Sequence, residues 1–217
     1  SNGGTLATNG TLTTTSGNIT LVGSTGLTAG HLLTTGSGQI NLSTTTSGDV
    51  AVSAGGISST SGSLTINARD AVDIAVAVNT GSGTVTINAN TDGAGGQGFT
   101  QNAGAGSITT SDATGAAVAI NVNAAGGGSG GAALRDITTG SGGTITVATS
   151  TGGNATGGSI TQTAGTSLDS GTGSVVLNTP TGGASAIGSA GSSILTTTGN
   201  VTANAGSGGV FVTASNG

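Results

Sequence analysis

The sequence predicts an all-β chain wound as a parallel β-helix (β-solenoid) of about 20–30 residues per coil, and three observations predict it. A phrase of the form Gly-x-[Ile/Val/Leu]-[Thr/Asn] returns nearly unchanged along the chain, so like is set to stack on like. Each return opens a run of alternating apolar and polar residues, the period-two mark of a half-buried strand. The available bulk is also small: Phe99 and Phe211 are the only aromatics, and Trp, Tyr and Met are absent. Val, Ile, Leu, Ala and Thr fill a narrow core extended in one dimension better than a single globular one.

The repeat reads as an apolar residue, a Thr/Ser/Gly corner, then a second apolar residue opening a strand. Leu12 and Ile19, Leu33 and Ile40, Ile57 and Leu64, Val78 and Val85, Leu168 and Val175, and Ile194 and Val201 are such pairs, each seven apart. Leu42 with Val50 and Ile137 with Ile145 are eight apart. Alternation follows in Ile19-Thr20-Leu21, Ile40-Asn41-Leu42, Leu64-Thr65-Ile66, Val85-Thr86-Ile87 and Ile145-Thr146-Val147. The strand-opening anchors Ile19, Ile40, Leu64, Val85 and Ile108 follow one another at short, nearly even intervals, and Ile145, Val175 and Val201 at somewhat longer ones. With no helical pattern inside it, that quasi-period implies two or three short strands per coil.

Antiparallel sandwiches and barrels also have short, regularly spaced strands with glycine turns, but they vary their strands, whereas this chain repeats one phrase. Forty-six glycines without a three-residue period, and a single proline, exclude collagen. A Gly/Ser/Thr-rich linker with 4% charged residues would be disordered, but 33% hydrophobic residues placed in alternation argue for order.

Glycine-rich stretches at 91–98, 124–133 and 149–158 break the alternation and read as loops inserted at a corner, the natural places for specialised contacts. Eight or nine coils at the usual interstrand spacing would make a rod of about 40 Å. The chain starts at Ser1 without Met and in mid-repeat, which reads as a piece of something longer. Neither end shows a capping helix or a charged, proline-bearing blocker. The expectation is therefore continuation into further covalent coils or end-to-end self-association.

Charge is sparse. The seven acids are all Asp, Arg69 and Arg135 are the only cationic residues besides His31, and the net charge is −5. Phosphate neutralisation needs clustered cations, so no nucleic acid is expected as partner. No membrane span is expected, because no run of about 18 apolar residues occurs. Without cysteine there are neither disulfides nor thiolates.

The candidate chemistry is equally sparse. Sugar-cleaving solenoids use clustered carboxylates, whereas Asp49, Asp70, Asp73, Asp92, Asp112, Asp136 and Asp169 occupy different positions in the repeat. Asp70 and Asp73 beside Arg69 read as a local ion pair at a corner. His31, the only histidine, would need distant Asp residues to hold a metal and reads as a corner side chain. A Ser-His-Asp triad can be written from His31 and many serines, which carries no weight. Thr91-Asp92-Gly93 resembles a calcium-loop fragment, but its Asp does not recur with the required period. Phosphate-cradling loops need a Lys, and there is none. Catalytic, cofactor and metal residues are accordingly assigned as none, and the chain is not expected to be an enzyme.

Threonine is used repeatedly, as in 13–15, 34–35, 44–46, 109–110, 138–139 and 196–198. A flat threonine array suggests an ice-binding face, but these clusters sit at corners, where the hydroxyl can satisfy bent backbone. Asn41, Asn67, Asn88, Asn121, Asn123, Asn178 and Asn204 recur near strand ends and can stack as amide ladders. Asn9, Asn18, Asn41, Asn154 and Asn200 match the Asn-x-Ser/Thr pattern, expected by chance in so Ser/Thr-rich a chain. Phe99 beside Gln97 and Gln101 is the one candidate contact cluster for a glycan, although Phe99 reads better as an inward plug.

The phrases Gly17-Asn18-Ile19-Thr20-Leu21, Gly62-Ser63-Leu64-Thr65-Ile66-Asn67-Ala68, Gly83-Thr84-Val85-Thr86-Ile87-Asn88-Ala89 and Gly173-Ser174-Val175-Val176-Leu177-Asn178 resemble the repeats of filamentous-haemagglutinin-like exoproteins and related β-strand-repeat surface proteins, of two-partner-secretion or autotransporter-passenger type. The resemblance covers nearly the whole chain. It implies a right-handed β-helix exported to the extracellular medium or held at the bacterial cell surface. No catalytic or binding residue carries over. The expected role is a structural fibre or stalk segment, with an adhesin binding a glycan or cell-surface ligand through inserted loops as the alternative.

Overall fold

The computed structural model describes residues 3–102, 104–149, 156–198 and 200–215, which hold only strands, turns and bends. The first four coils are β1 (Leu6–Ala7), β2 (Leu12–Thr14), β3 (Ile19–Gly23); β4 (Leu27–Ala29), β5 (Leu32–Thr34), β6 (Ile40–Thr44); β7 (Val50–Val52), β8 (Ile57–Ser59), β9 (Leu64–Asn67); and β10 (Val72–Ile74), β11 (Ala77–Asn79), β12 (Val85–Ala89). The next three are β13 (Phe99–Gln101), β14 (Ser107–Thr109), β15 (Val118–Val122); β16 (Ala132–Leu134), β17 (Asp136–Thr138), β18 (Thr144–Ala148); and β19 (Ile160–Gln162), β20 (Leu168–Asp169), β21 (Ser174–Asn178). The eighth opens with a bridge at Ile187 and continues as β22 (Ile194–Thr196) and β23 (Asn200–Asn204), and a ninth begins with Val210 and β24 (Val212–Ala214).

Every third strand pairs with the one a coil away. Sheet A collects β1 and its equivalents to β19, sheet B runs from β2 to β24, and sheet C from β3 to β23, with every strand pair parallel. The chain is a parallel β-helix. Its three-sided cross-section follows from the phrase read in the sequence: a short strand, a bend at small residues, and a longer strand in sheet C with three inward positions.

Inward residues stack in columns along the axis. One column of sheet C is Ile19, Ile40, Leu64, Val85, Val118, Ile145, Val175 and Val201, and the next is Leu21, Leu42, Ile66, Ile87, Ile120, Val147, Leu177 and Ala203. From Ile40 to Val175 these side chains are wholly buried in one continuous core. Phe99, the largest buried side chain, stacks between Val72 and Ala132 in sheet A, with a small partner on one side to make room. It is an inward plug, as the sequence suggested.

The register corrects several sequence assignments. Val85 is followed in its column by Val118, so that coil runs past the upper bound of about 30 residues expected from the repeat. Ile108 instead lies in sheet B, between Val78 and Ile137. The anchor facing the core before Ile40 is Leu32, paired with Leu12 and Ile57, while Leu33 points outward. Leu42 and Val50 do not span the same corner as the other pairs: they join sheet C to sheet A, whereas Ile137 and Ile145 join sheet B to sheet C. Late in the stack the register also slips, since Leu168 pairs with Thr196 while Ile194 pairs with Val212.

Candidate functional site

The acids, the first place to look for chemistry, are each engaged by the scaffold. The structure brings Asp49 and Asp70 to adjacent rungs, one residue out of register, where they brace each other's strands. The Asp70 carboxylate accepts the Gly48 N–H at 2.6 Å, and Asp49 accepts that of Ala71 at 2.9 Å. Asp136 accepts the Ser167 N–H from the next coil at 3.0 Å. Asp92, Asp112 and Asp169 accept N–H groups two residues on, from Ala94, Thr114 and Gly171, as Asx turns. Asp73 accepts the amide of Asn102, one coil later.

The ion pair read between Arg69 and its acids is not what forms, because Asp70 and Asp73 bond elsewhere and the buried Arg69 Nε has no hydrogen-bond partner. Among the described residues no three His, Cys, Asp or Glu side chains come together as a metal site would need. His31 sits half-buried at the corner between β4 and β5, with Nδ1 3.3 Å from Thr11 Oγ1.

Phe99 and its neighbouring glutamines do not make a contact cluster. Gln97 is exposed, but Gln101 is buried, and its amide accepts the Arg135 N–H at 2.9 Å while donating to the Asp136 carbonyl at 3.1 Å. Gln162 does the same two coils on, accepting the Leu195 N–H at 2.6 Å and donating to its carbonyl at 3.4 Å. These two amides staple one coil to the backbone of the next where sheet A turns into sheet B. Sequence inspection missed them because isolated glutamines leave no periodic signal.

The corner between sheets B and C carries a column of hydroxyls: Thr14, Thr34, Ser59, Thr80, Thr110, Thr139 and Ser170, each two residues past its sheet B anchor, and Thr198, two past the Thr196 that pairs with Leu168. All but Thr14 are buried. Their bonds hold the bend. Thr80 donates to the Gly83 carbonyl at 2.6 Å, Thr110 to Gly81 and Gly83 at 2.9 and 2.7 Å, and Thr198 to Gly173 at 2.9 Å, while Ser59 accepts the Gly62 N–H at 2.7 Å. The threonine clusters therefore do at their corner what a hydroxyl at a bend is suited to do.

The asparagines divide into two groups. On the outside of sheet C, Asn88 donates to Asn67 at 2.7 Å, Asn121 to Asn88 at 3.0 Å and Asn204 to Asn178 at 2.9 Å, with Ala148 interrupting the ladder. Asn41 stands in a neighbouring column opposite Thr65. Asn123 belongs inside: it accepts the Asn90 amide at 2.7 Å and donates to the carbonyls of Gly130 and Thr149. Asn90 and Asn123 have positive φ, 50° and 61°, which Asn tolerates better than most residues. Among the Asn-x-Ser/Thr positions, Asn9, Asn18 and Asn200 are exposed and Asn41 is half-buried; Asn154 lies outside the described residues.

The three glycine-rich stretches all leave sheet C for sheet A, after β12, β15 and β18, so they fall on one corner. They stack. Ser129 N–H donates to the Gly95 carbonyl at 2.7 Å, and Thr156 Oγ1 donates to the carbonyls of Gly127 and Gly128, both at 3.2 Å. The result is a ridge along the later coils; the part of the third loop at 150–155 lies outside the described residues. Beside it runs a shallow groove of about 250 Å³ over Phe99, Thr100, Ala133 and Thr161, with no charged side chain in its lining.

No family model, curated protein or solved structure matches the chain.

Proposed function

We propose that the chain is a structural segment of an extracellular fibre or stalk at a bacterial surface, of the filamentous-haemagglutinin-like kind its repeats resemble. One observation carries this reading: most of the polar side chains that could do chemistry are taken up in joining one coil to the next or in holding a turn. The Asp49 and Asp70 braces, the Gln101 and Gln162 staples, the corner hydroxyls and the amide ladders all cross between coils or tighten a bend. Such bonds resist sliding and separation of rungs, which a rod under tension requires and a catalyst does not. In this reading the segment carries no catalytic group.

At both ends of the described stack the core columns are incompletely covered: Leu12 is 37% exposed and Val210 45%. The edges of β1, β2 and β3 at one end and of β23 and β24 at the other face outward along the axis. Further coils, covalent or from another copy, fit these edges, because each backbone group finds its next partner one rung on.

The stacked ridge favours a second reading, an adhesin presenting its corner to a glycan or cell-surface ligand. Electron microscopy of the parent surface protein, joined with binding to glycan arrays, separates the two. Thin continuous rods with no glycan selectivity support the structural role. Selective binding lost on shortening the loops at 91–98 and 124–131 would replace it with adhesion.

A further inference from the structure

Sheet C differs from the other two faces. Its longest strands have five residues and lay two columns of side chains on the outside, with a third set by the residue before the opening anchor. The central column is Thr20, Asn41, Thr65, Thr86, Ala119, Thr146, Val176 and Thr202. One flank holds the Asn67, Asn88 and Asn121 ladder, and the other holds small polar residues such as Ser63, Thr84 and Thr144. None of the seven Asp, the two Arg or His31 points from this face. They lie at corners, in loops, or on sheets A and B, as with Asp73 on β10 and Asp169 on β20.

We propose that the outer face of sheet C is a lateral self-association surface, on which a second copy of this chain packs face to face. Two arguments select a second copy. The first is electrostatic: a chain of net charge −5 with nearly all its charge acidic meets itself without opposing carboxylates only across this face. The second is extent. Eight rungs about 4.8 Å apart, each about 17 Å wide, cover about 650 Å² on one copy. Two copies thus remove about 1,300 Å² from water, within the range of specific interfaces.

The side chains suit such a contact. Threonine is held to few rotamers by its branched Cβ, and the stacked asparagines are already bonded to each other, so little freedom is left to lose on packing. Small polar residues on paired flat sheets interdigitate as a dry zipper, and stacked Asn amides add to it. A closed two-fold pair with full overlap puts its axis at the centre of the patch, between the fourth and fifth rungs, next to Thr86. With the axis across the rods, the first rung of one copy faces the eighth of its partner, so the loops that follow β12 and β15 lie beside those that follow the partner's β15 and β12. This association is lateral and independent of the end-to-end contacts of the structural reading.

The test uses the absence of native cysteine. Facing sheets stand about 10 Å apart, too far for a direct disulfide, so Thr86→Cys, at the centre of the face, is expected to give a covalent dimer with a short bis-maleimide of about 8–10 Å, whereas Thr161→Cys on the outside of sheet A is not. In sedimentation at rising concentration, the unmodified chain should shift to a dimer with rods side by side. Thr65→Arg combined with Thr146→Arg should weaken that dimer at least tenfold while leaving the unfolding midpoint and spectrum of the monomer unchanged. A chain that stays monomeric into the high micromolar range would overturn the proposal. So would a dimer indifferent to both arginines, or a monomer that depresses freezing through this face, which would assign the array to ice.

Discussion

Glycine is required at the corner leading into sheet C by proximity and not by an unusual φ. A Cβ on Gly62 would stand 1.8 Å from the Gly38 carbonyl oxygen, and one on Gly173 would stand 1.9 Å from that of Gly143. The rungs approach so closely there that only hydrogen fits. This is the physical content of the Gly-x-[Ile/Val/Leu] phrase, and it made the fold legible from sequence. We expect Gly62→Ala to destabilise the chain by about 3 kcal/mol, the upper end of overpacking costs. Gly115→Ala, where an added Cβ meets nothing within 4 Å, should stay within about 0.5 kcal/mol. Equal midpoints for the two in urea unfolding would refute the close-approach account.

At the scale of elements, the corner hydroxyl column separates bonded from idle members. Thr110 donates to two glycine carbonyls, whereas the buried Ser170 Oγ in the same column has no partner. Thr110→Val keeps the shape but removes the hydroxyl proton that the two carbonyls share and leaves the Asp112 N–H without its acceptor, and should cost about 1–3 kcal/mol. Ser170→Ala removes only an unsatisfied group and should be neutral or slightly stabilising. Urea midpoints check both, and a reversed order would show that the column fills space without bonding.

The elements the sequence concealed share one cause: the phrase was absent or doubled. The fifth strand of sheet C opens as Ala116-Ala117-Val118, without the glycine, so Val118 was overlooked and Ile108 stood in its place. Adjacent leucines at 32 and 33 offered two inward choices, and spacing to Ile40 favoured the wrong one. The amide staples of Gln101 and Gln162 and the mutual braces of Asp49 and Asp70 depend on which rungs become neighbours. Coils of unequal length hide that from a linear reading: the ladder step from Asn67 to Asn88 is 21, and the next, from Asn88 to Asn121, is 33.

For the molecule as a whole, each coil touches only its neighbours, so stability accumulates rung by rung. The polar ladders then serve as register keys: a strand shifted by one residue would turn its apolar side chains outward, and a coil shifted by two would leave the hydroxyls and amides facing apolar partners. The slip between Leu168 and Thr196 is a place where the columns are re-laid, and it coincides with a coil whose sheet A strand is reduced to the single bridge at Ile187.

The register of the longest coil tests this account most directly. Asn88 and Asn121 are strand partners, with their amides bonded at 3.0 Å, although they are far apart in the chain. A repeat equal to the interval from Val85 to Ile108 would instead set Asn88 beside Ser111. The double variants Asn88→Cys/Asn121→Cys and Asn88→Cys/Ser111→Cys can be oxidised at low concentration and read by the mobility of the intact monomer. Rapid internal bridging of the first pair and none of the second is the predicted result. Bridging of Asn88→Cys to Ser111→Cys alone would contradict the coil register on which the rod, its ladders and its outer face all depend.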